Sequence, residues 1–350
     1  MGAGAPADSL LPEGVKVLLL DDHPPGTGVR SHHWNMYRNL RAHGVDAEFV
    51  EFGGSGLAGA LRGALIPRIR RPDPGGAVLH LSNPNLGFLA RRRGALLTVH
   101  DLYYLRGRSR SLFWSLYCRW NYRHIRDAHA IAVNSRSTRE EVEDLGVDPG
   151  RIALVYPAVG PEFAPGGPVS DPWPGRRAIL HVGYDMPNKN LAAALEALRM
   201  LPPEYVMVRV GSDSPSTIRS VRRLGLEGRY RNIGAEGPAE LAAIYRGSHA
   251  LVFPSTYEGF GIPPVEAMAS GLPVVSSCAG GLAESAGGAI CVDPPEPAKL
   301  ADAVLSLSDE RVRRRAVDSG LRWAARFSYE AQLRQLALAY QLALDRARRA

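Results

Sequence analysis

The chain has 350 residues, 45% of them hydrophobic and 22% charged, which is the composition of an ordinary globular protein. Its length predicts two domains, and its apolar runs are too short to form a membrane-spanning helix. The formal net charge is +7, and the basic excess is concentrated between residues 91 and 126, where nine arginines accompany a single acid.

Short apolar runs alternate with longer helical segments in the first half of the chain. The runs predict strands at 15–20, 47–52, 77–81, 95–99, 128–133 and 152–156. Helices are predicted at 28–43, 109–126 and 136–145, the last with Ser135 as its N-cap. Continuous apolar strands of this length are typical of a parallel sheet that is covered on both faces.

Residues 157–176 are rich in proline and glycine and lack periodicity, which predicts an inter-domain linker at 161–176. The alternation then resumes, with strands predicted at 178–182, 206–210, 229–233, 250–253, 273–276 and 289–292. The helices predicted in this half are at 190–200, 215–225, 238–247, 263–270 and 296–307, followed by two in 309–349 that divide near Ser328.

This alternation predicts an α/β protein with two Rossmann-like, doubly wound parallel sheets. We expect residues 1–160 to form the first domain and residues 177–327 the second. The helix at about 328–349 is expected to cross back onto the first domain. Ligands of open α/β sheets bind at the carboxyl ends of the strands, so we expect a cleft where the two sets of strand ends face each other.

The three cysteines, Cys118, Cys278 and Cys291, are widely spaced, odd in number and free of any C-x-x-C pair. This spacing argues against a disulfide framework and against a cysteine-rich zinc site. Cysteines that are few and widely spaced are expected in a protein of the reducing cytoplasm. The start of the sequence lacks the basic region of a signal peptide, so we predict a cytoplasmic protein.

The most specific pattern is YEGFGIPPVEAMASGLPVV at residues 257–275, which follows an apolar run. Two prolines suit the first turn of a helix, and Gly259 and Gly261 let the backbone approach a ligand. The free N–H groups of a helix start favour an anion such as a diphosphate. Glu258 precedes this helix and Glu266 lies inside it, so one acid can hold a sugar and the other a ribose.

This segment resembles the signature of the retaining GT-B glycosyltransferases, the Glu-x7-Glu family of group 1 glycosyl transferases that includes bacterial mannosyl- and glucosyltransferases. The resemblance continues, in the family's order, over most of residues 15–340. The other segments that carry it are PPGTGVRSHHWNMYRNLRAHG, LLTVHDLYY, IAVNSRSTREEVEDLGVDPGRIALVYPAVGPEF, ILHVGYDMPNKNLAAALEAL and the late FSYE. The resemblance implies the GT-B fold, with an N-terminal acceptor domain and a C-terminal donor domain that binds a nucleotide sugar.

The resemblance also implies roles for individual residues. Glu258 contacts the donor sugar, Glu266 holds the donor ribose, Lys189 balances the diphosphate and His100 faces the transferred sugar. The predicted catalytic residues are therefore His100, Lys189 and Glu258. The remaining predicted donor-binding residues are Gly26, Gly28, Gly183, Tyr184, Asn190, Gly259, Phe260, Gly261 and Ile262. Tyr184 is a departure, because many family members have an arginine soon after the matching glycine.

No Asp-x-Asp motif occurs in the sequence, although glycosyltransferases that need a divalent metal usually have one. Together with Lys189 and a helix N-terminus, this predicts that the leaving diphosphate is stabilised electrostatically and without a metal. No cofactor is expected, because the nucleotide sugar is a co-substrate. The resemblance implies retention at the anomeric carbon by front-face attack, with the leaving phosphate as base and no protein nucleophile.

Each of these residues also has a structural interpretation. Glu266 is also consistent with an ordinary helix acid that interacts with the helix dipole. Glu258 is consistent with a solvated loop acid, and Lys189 with a surface lysine. The glycines at 26 and 28 fit a plain turn, and His100 fits a structural histidine at the end of a strand. His23, His32 and His33 either point toward the acceptor or are solvated loop side chains, and Asp101 is a candidate cap of the turn that follows it.

Two functions from different classes remain open. The first is a hexosyltransferase, and the second is a catalytically inactive sugar-nucleotide-binding or partner subunit on the same fold. Glu258, Glu266, Lys189 and His100 favour the enzyme, whereas Tyr184 favours the inactive protein. A nicotinamide-dependent oxidoreductase would need the complete G-x-G-x-x-G motif and a later ribose-binding acid, and the sequence has neither. No added acid/base pair indicates an epimerase.

The donor and acceptor are less well defined by the sequence. LLTVHDLYY and GYDMPNKNL look most like mannosyltransferase-like members, so GDP-mannose is the first expectation and UDP-sugars are the alternative. Acceptor contacts are expected from the loops at 53–75 and 101–110, and a glycan, a lipid-linked intermediate and a small molecule all remain candidates. We expect no nucleic-acid partner.

Segment 103–126 combines arginines with an apolar face of a predicted helix, formed by Leu112, Phe113, Leu116, Tyr117 and Trp120. One interpretation is a helix that packs on the first sheet and exposes a basic edge. The other is a peripheral contact with the inner face of the membrane or with an anionic acceptor.

Overall fold

The computed structural model of the chain describes residues 15–23, 28–51, 77–92, 94–105, 116, 119–235 and 237–349. Gly26, half of the helix predicted at 109–126 and most of the predicted acceptor loops lie outside these residues. The chain divides into two compact units, Met1–Ala158 with Tyr329–Ala350 (unit 1) and Val159–Ser328 (unit 2). Among the helices described, none combines the length and apolarity needed to cross a membrane.

Unit 1 contains, in its described part, a six-stranded parallel sheet with the order β2-β1-β3-β4-β5-β6. The strands are β1 (Lys16–Asp21), β2 (Asp46–Glu51), β3 (Val78–Leu81), β4 (Ala95–Val99), β5 (Ala130–Val133) and β6 (Ile152–Leu154). Its first two helices are α1 (Gly28–Ala42) and α2 (Arg136–Asp144). As predicted, Ser135 caps α2, because its hydroxyl accepts a hydrogen bond from the Thr138 N–H at 2.9 Å.

Unit 2 has a second parallel sheet, whose six described strands follow the order β12-β11-β10-β7-β8-β9. They are β7 (Arg177–Val182), β8 (Tyr205–Val210), β9 (Tyr230–Ile233), β10 (Ala250–Phe253), β11 (Val274–Ser276) and β12 (Ile290–Cys291). The helices are α3 (Leu191–Met200), α4 (Pro215–Arg223), α5 (Pro238–Arg246), α6 (Ile262–Ala269), α7 (Leu282–Ser285), α8 (Pro297–Ser306) and α9 (Glu310–Ala324).

The predicted α/β architecture is confirmed. Each predicted strand corresponds to a strand of the structure whose ends lie within two residues of the prediction. In each sheet the strand order reverses once, between β1 and β3 and between β7 and β10. At such a reversal the connections leave on opposite faces of the sheet, which opens a crevice at the carboxyl ends of the strands.

The last helix, α10 (Tyr329–Arg349), packs on the sheet of unit 1 although it follows unit 2 in sequence. Its apolar residues, including Leu336 and Tyr340, are buried with residues of β1, α1 and β4 in one hydrophobic core. The Tyr340 hydroxyl lies 2.9 Å from Nδ1 of His80 on β3, and Nε2 of the same ring lies 2.7 Å from the Thr98 hydroxyl on β4. A buried polar chain therefore joins α10 to two strands.

The proline- and glycine-rich segment at 161–176 is held by α5. The Arg246 guanidinium donates hydrogen bonds to the carbonyl oxygens of Glu162, Ala164 and Pro168 at 2.7–3.0 Å. The Ser170 N–H donates to the Ala243 carbonyl at 3.0 Å. Most of the residues predicted to form a linker thus pack on unit 2.

The prediction that the cysteines form no disulfide is wrong for one pair, because Cys278 and Cys291 are bonded to each other with their Cα atoms 5.9 Å apart. Cys278 follows β11 and Cys291 ends β12, and these strands are neighbours in the sheet. The adjacency of β11 and β12 brings the two thiols together, and cysteine spacing alone does not reveal it.

Candidate active site

The predicted donor-binding residues of unit 2 follow β7 and β10, the two strands between which the sheet order reverses. Gly183 directly follows β7 and has a φ of 137°, a conformation that favours glycine. A Cβ atom on Gly211 would lie 2.0 Å from the Gly183 carbonyl oxygen, so the loops after β7 and β8 approach closely only because residue 211 is glycine. The crevice therefore opens at the expected end of the sheet.

Several hydrogen bonds join the loop after β7 to the loop after β10. The Asn188 amide donates to the Tyr257 carbonyl at 3.0 Å, and the Thr256 N–H donates to the Asn188 carbonyl at 2.8 Å. Asn190 has a φ of 50° at the start of α3, and its amide donates to the Pro254 carbonyl at 3.2 Å. These bonds place Lys189 opposite Glu258.

Lys189 Nζ lies 2.7 Å from Glu258 Oε1, so the structure brings two of the three predicted catalytic residues together. The two side chains are only 17% and 11% exposed. Lys189 Nζ also lies 5.3 Å from the centre of the Phe253 ring, a cation–π distance. Because water screens this pair weakly, we expect its geometry to be well defined.

The loop that carries Glu258 is fixed by close backbone packing. The Gly281 N–H donates to the Glu258 carbonyl at 3.0 Å, and a Cβ atom on Gly281 would lie 2.1 Å from the Gly259 carbonyl oxygen. Gly261 has a φ of 82° and precedes α6, which has proline in its first turn. Pro263 and Pro264 have no N–H, so Ile262 supplies the backbone donor at the start of α6, immediately after the Glu258 loop and in a position that suits an anion.

Glu266 lies on α6 and is partly buried. Its Oε2 accepts a hydrogen bond from the Tyr245 hydroxyl of α5 at 3.2 Å. Burial raises the pKa of the Glu266 carboxyl to about 7, although the bond from Tyr245 acts in the opposite direction and lowers it. Burial, together with the charge of Glu266, also raises the pKa of Tyr245 well above its ordinary value.

Three other predicted donor residues have different surroundings. The Phe260 side chain is 3% exposed and packs against Phe327 with the ring centres 5.3 Å apart, so only its backbone can contact a ligand. The Tyr184 side chain is 45% exposed on the loop after β7. Ile262 is half-buried at the start of α6.

Arg209 on β8 was not predicted as a site residue. It is fully buried, and its guanidinium donates hydrogen bonds to the carbonyl oxygens of Gly183 at 3.0 Å and Ser212 at 2.9 Å. The same group pairs with Asp213 at 2.8 Å and lies 2.7 Å from His181 Nδ1. Burial first, and the charge of Arg209 second, lower the pKa of His181 to about 3. The feature of the sequence that could have indicated this role is the position of Arg209 as a single charged residue within an apolar strand.

His100, the third predicted catalytic residue, lies in unit 1 just after β4. Its Nε2 is 3.1 Å from Nε2 of His33 and 3.1 Å from the Ser82 carbonyl oxygen. Burial, and then the nearby rings of His33, His32 and His23, lower the pKa of His100 well below its ordinary value, so the ring is neutral at pH 7. In the same unit, Asp101 accepts a hydrogen bond from the Tyr103 N–H at 3.0 Å and thus caps a turn.

Of the two predicted glycines near the start of the chain, Gly28 begins α1, and Gly26 lies outside the described residues. The structure thus groups most of the predicted donor residues at one end of the sheet of unit 2. His100 belongs to a separate cluster at the strand ends of unit 1.

Two family models match the sequence. Residues 170–322 match the model described as "Glycosyl transferases group 1". Residues 58–163 match the model described as "Glycosyltransferase Family 4". The first match contains Lys189, Glu258 and Glu266, and the second contains His100.

Two characterised bacterial proteins are similar in sequence. The O-antigen chain mannosyltransferase B of Escherichia coli is 30% identical over 285 residues, which are 74% of this chain and 73% of that protein. The D-inositol 3-phosphate glycosyltransferase of Corynebacterium glutamicum is 32% identical over 247 residues, which are 62% of this chain and 58% of that protein. The match therefore spans only part of the second relative.

Solved structures share the fold at low sequence identity. Sucrose-phosphate synthase from Thermosynechococcus elongatus superimposes with a TM-score of 0.76 at 20% identity, covering 93% of this chain and 98% of that one. Anabaena HepE, solved in complex with UDP and glucose, gives a TM-score of 0.74 at 19% identity, covering 92% and 98% of the respective chains. These similarities confirm the predicted GT-B fold.

Proposed function

The chain belongs to the glycosyl transferases group 1 family, and from this premise we propose that it is a retaining glycosyltransferase. It transfers a hexose from a nucleotide-diphosphate sugar to a glycan, a lipid-linked intermediate or a small molecule, without a metal ion. The observation that carries the proposal is the Lys189–Glu258 pair, 2.7 Å apart and shielded from solvent beside the start of α6.

The leaving group in this reaction is a nucleoside diphosphate that gains negative charge as the glycosidic C–O bond breaks. The Lys189 ammonium and the Ile262 N–H at the start of α6 are positioned to stabilise this charge. Arg209 adds a fixed positive charge beneath the Gly183 loop, where its hydrogen bonds hold two carbonyl groups in place. We propose that these groups replace the metal ion and the missing arginine at position 184.

Two carboxylates then orient the donor. Glu258 accepts hydrogen bonds from the hydroxyls of the transferred sugar, and its contact with Lys189 holds it close to the diphosphate. Glu266 accepts hydrogen bonds from the ribose hydroxyls. In this mechanism the acceptor hydroxyl attacks the anomeric carbon from the face that the diphosphate leaves. The departing phosphate oxygen takes the proton of that hydroxyl. His100 contributes a neutral ring that faces the transferred sugar.

The choice of donor rests on the relatives. The similar Escherichia coli protein is a mannosyltransferase, which favours GDP-mannose. HepE shares only the fold and was solved with UDP-glucose, so a UDP-sugar is the second candidate. We propose mannose transfer from GDP-mannose.

A thermal-shift panel followed by a transfer assay tests the proposal. GDP, UDP, ADP and dTDP and their sugar conjugates are compared, and we expect one nucleotide to stabilise the protein selectively. The stabilising sugar nucleotide, labelled in the sugar, is then incubated with candidate acceptors. Binding without transfer to any acceptor, and without donor hydrolysis, would favour the inactive sugar-nucleotide-binding subunit. Absence of any stabilisation would contradict the assigned donor site.

The metal-free mechanism has its own test. Transfer is measured in excess EDTA, with and without later addition of magnesium, and the initial rate is expected to be the same in both. Complete loss of transfer that magnesium restores would refute the metal-free mechanism without affecting the assignment of the family.

We also propose that the aromatic and basic residues of segment 103–126 contact an anionic membrane surface from the cytoplasmic side. Among its described residues, Trp120 is 62% and Leu116 is 58% exposed, and Arg123 stacks on the Trp120 ring at 3.4 Å. Phe88, 54% exposed, and Arg91 lie beside Arg123. Exposed aromatic rings beside arginines suit the interface of an anionic bilayer.

Flotation with lipid vesicles tests this contact. The protein is expected to bind vesicles that contain phosphatidylglycerol at low salt and not vesicles of phosphatidylcholine alone. The double variant Arg119→Ala, Arg123→Ala should reduce binding at least several-fold. A matched control, Arg222→Ala with Arg223→Ala, removes two exposed arginines from α4 of unit 2 and should bind normally. Equal loss in both variants would indicate a net-charge effect without a specific surface.

A further inference from the structure

Asp21, His23 and His33 form a cluster at the carboxyl end of β1, which we call the His–Asp cluster. Asp21 ends β1, His23 follows it, and His33 lies on α1. Each side chain offers a ligand atom, and these atoms all lie within 4.8 Å of one another. Asp21 and His33 are fully buried, whereas the His23 side chain is 20% exposed. The reaction proposed above does not use these three residues.

The two oxygen atoms of Asp21 have unequal surroundings. Oδ1 lies 2.6 Å from His23 Nδ1 and accepts hydrogen bonds from the His23 N–H and the Ser82 hydroxyl, both at 3.1 Å. Oδ2 is buried and has no hydrogen-bond partner among the residues described. A buried carboxylate oxygen without a donor or a cation is costly, because it loses its hydration without compensation.

His33 has a similar imbalance. Its Nε2 lies 3.1 Å from Nε2 of His100, whereas its Nδ1 is buried and makes no hydrogen bond in the described part of the chain. A metal at His33 Nδ1 requires the ring proton on Nε2, from which His33 donates to His100 Nε2, and His100 then no longer donates from that nitrogen to the Ser82 carbonyl. A histidine that binds a metal through one nitrogen commonly donates its other N–H to a neighbouring group. The contact with His100 can therefore orient His33 as a ligand.

We propose that Asp21, His23 and His33 bind a Zn²⁺ ion. Two imidazoles and one carboxylate are a ligand set suited to zinc, and a fourth position remains for water. Ligand atoms of a tetrahedral zinc site lie roughly 3.3 Å apart, given bonds of about 2.0–2.1 Å. Asp21 Oδ1 lies 2.6 Å from Nδ1 of His23 and 3.8 Å from Nδ1 of His33, which brackets that spacing. The ion would compensate the charge of the Asp21 carboxylate and would give the lone pair of His33 Nδ1 a partner.

The ligands of this site and the residues of the donor site belong to different units. The His–Asp cluster belongs to unit 1, whereas Lys189 and Glu258 belong to unit 2 and each compensates the charge of the other. Zinc in the cluster would fix the orientation of His33 and, through the contact between the two Nε2 atoms, that of His100. If a chelator lowered transfer and zinc restored it where magnesium did not, the cluster would be responsible and the metal-free donor mechanism would stand.

Zinc binding can be measured on tag-free full-length protein stripped with a strong chelator. We expect one equivalent of Zn²⁺ per chain in competition with a chromophoric chelator, and one equivalent of Co²⁺ with the intense visible absorption of a tetrahedral site. His23→Gln is the main variant, because its partly exposed position makes it the ligand least needed for folding. It should weaken zinc binding by more than about 100-fold. His33→Gln, checked for a native circular dichroism spectrum, should do the same.

His124→Gln is the matched control. His124 Nδ1 lies 3.2 Å from the Asp127 carboxylate, so it is a second histidine–aspartate pair of unit 1 outside the cluster. This variant should keep the full stoichiometry and affinity. The proposal is overturned if the wild-type protein binds zinc no more tightly than His23→Gln, or if His124→Gln loses as much affinity as His23→Gln. In the first case Asp21 and His23 form only an ion pair.

Discussion

At the scale of single residues, Lys189 and Glu258 act as one pair. Their charged atoms are 2.7 Å apart and mostly shielded from water, so replacing either residue leaves the other charge without its partner. A variant of either residue therefore changes the electrostatics of the site beyond the loss of its own contact. Kinetic measurements on these variants need to separate the binding of the donor from the chemical step.

Lys189→Ala is expected to lower kcat by more than about 100-fold, since the lysine mainly stabilises charge that develops in the transition state. Donor affinity, measured by calorimetry with the intact sugar nucleotide, should fall much less. Lys299→Ala is the matched control, because Lys299 pairs with Glu296 at 3.0 Å while both side chains are more than half exposed. An equal loss of kcat and donor affinity in Lys189→Ala would assign the lysine to ground-state binding.

The pKa of Glu266, about 7 in the structure, predicts a pH dependence of donor binding. Above pH 7 the carboxylate accepts hydrogen bonds from the ribose, and below pH 7 the protonated acid accepts them less well. Donor affinity should therefore fall as the pH decreases through 7, and Glu266→Gln should bind weakly with little pH dependence. Tyr245→Phe removes a hydrogen bond that stabilises the carboxylate and should shift the midpoint to higher pH. An identical profile in wild type and Glu266→Gln would assign the titration elsewhere.

The same shift predicts an effect on stability. Between the ordinary pKa of 4.5 and the folded value of about 7, the folded state binds more protons than the unfolded state, so Glu266 lowers stability as the pH rises through this window. Glu266→Gln removes the titration. The melting temperature of this variant minus that of the wild type should therefore be larger at pH 8 than at pH 5. A larger difference at pH 5 than at pH 8 would show that the folded state stabilises the ionised carboxylate of Glu266.

At the scale of secondary structure elements, the contact between α10 and the sheet of unit 1 depends on Tyr340 and His80. Tyr340→Phe keeps the ring but leaves His80 Nδ1 buried without a partner, and it should cost about 1–3 kcal/mol of stability. Chemical denaturation monitored by tryptophan fluorescence measures this change. Tyr37→Phe, a partly exposed residue of α1, should change stability by less than about 0.5 kcal/mol. Equal effects would mean that the bond to His80 contributes nothing specific.

The strands and the start of α6 were predictable because their signals are local. Apolar runs define the strands, and the glycines and prolines of residues 257–275 define the turn and the helix that follows it. The pairing of Cys278 with Cys291, the placement of Arg209 under Gly183 and the assembly of the His–Asp cluster were not predictable. They depend on which strands are neighbours and on packing between distant segments, and the hydrophobic pattern does not specify either.

At the scale of the whole molecule, unit 1 is discontinuous in sequence, because its last helix follows the whole of unit 2. Removing residues 329–350 should therefore disrupt unit 1, whose core includes Leu336 and Tyr340, and leave unit 2 folded. Hydrogen exchange of the truncated protein is expected to show protection in β7–β12 and little protection in β1–β6. Retained protection in β1–β6 would mean that α10 is dispensable for the fold of unit 1.

The late position of α10 also affects how the protein is made. A ribosome synthesises every residue of unit 2 before it reaches the helix that closes the core of unit 1. For that interval the nascent chain carries an exposed apolar sheet surface, which is a binding surface for chaperones, while unit 2 already has all the residues it needs to fold. The order of folding is thus expected to be opposite to the order of synthesis, and a nascent chain that ends before α10 is expected to have only unit 2 folded.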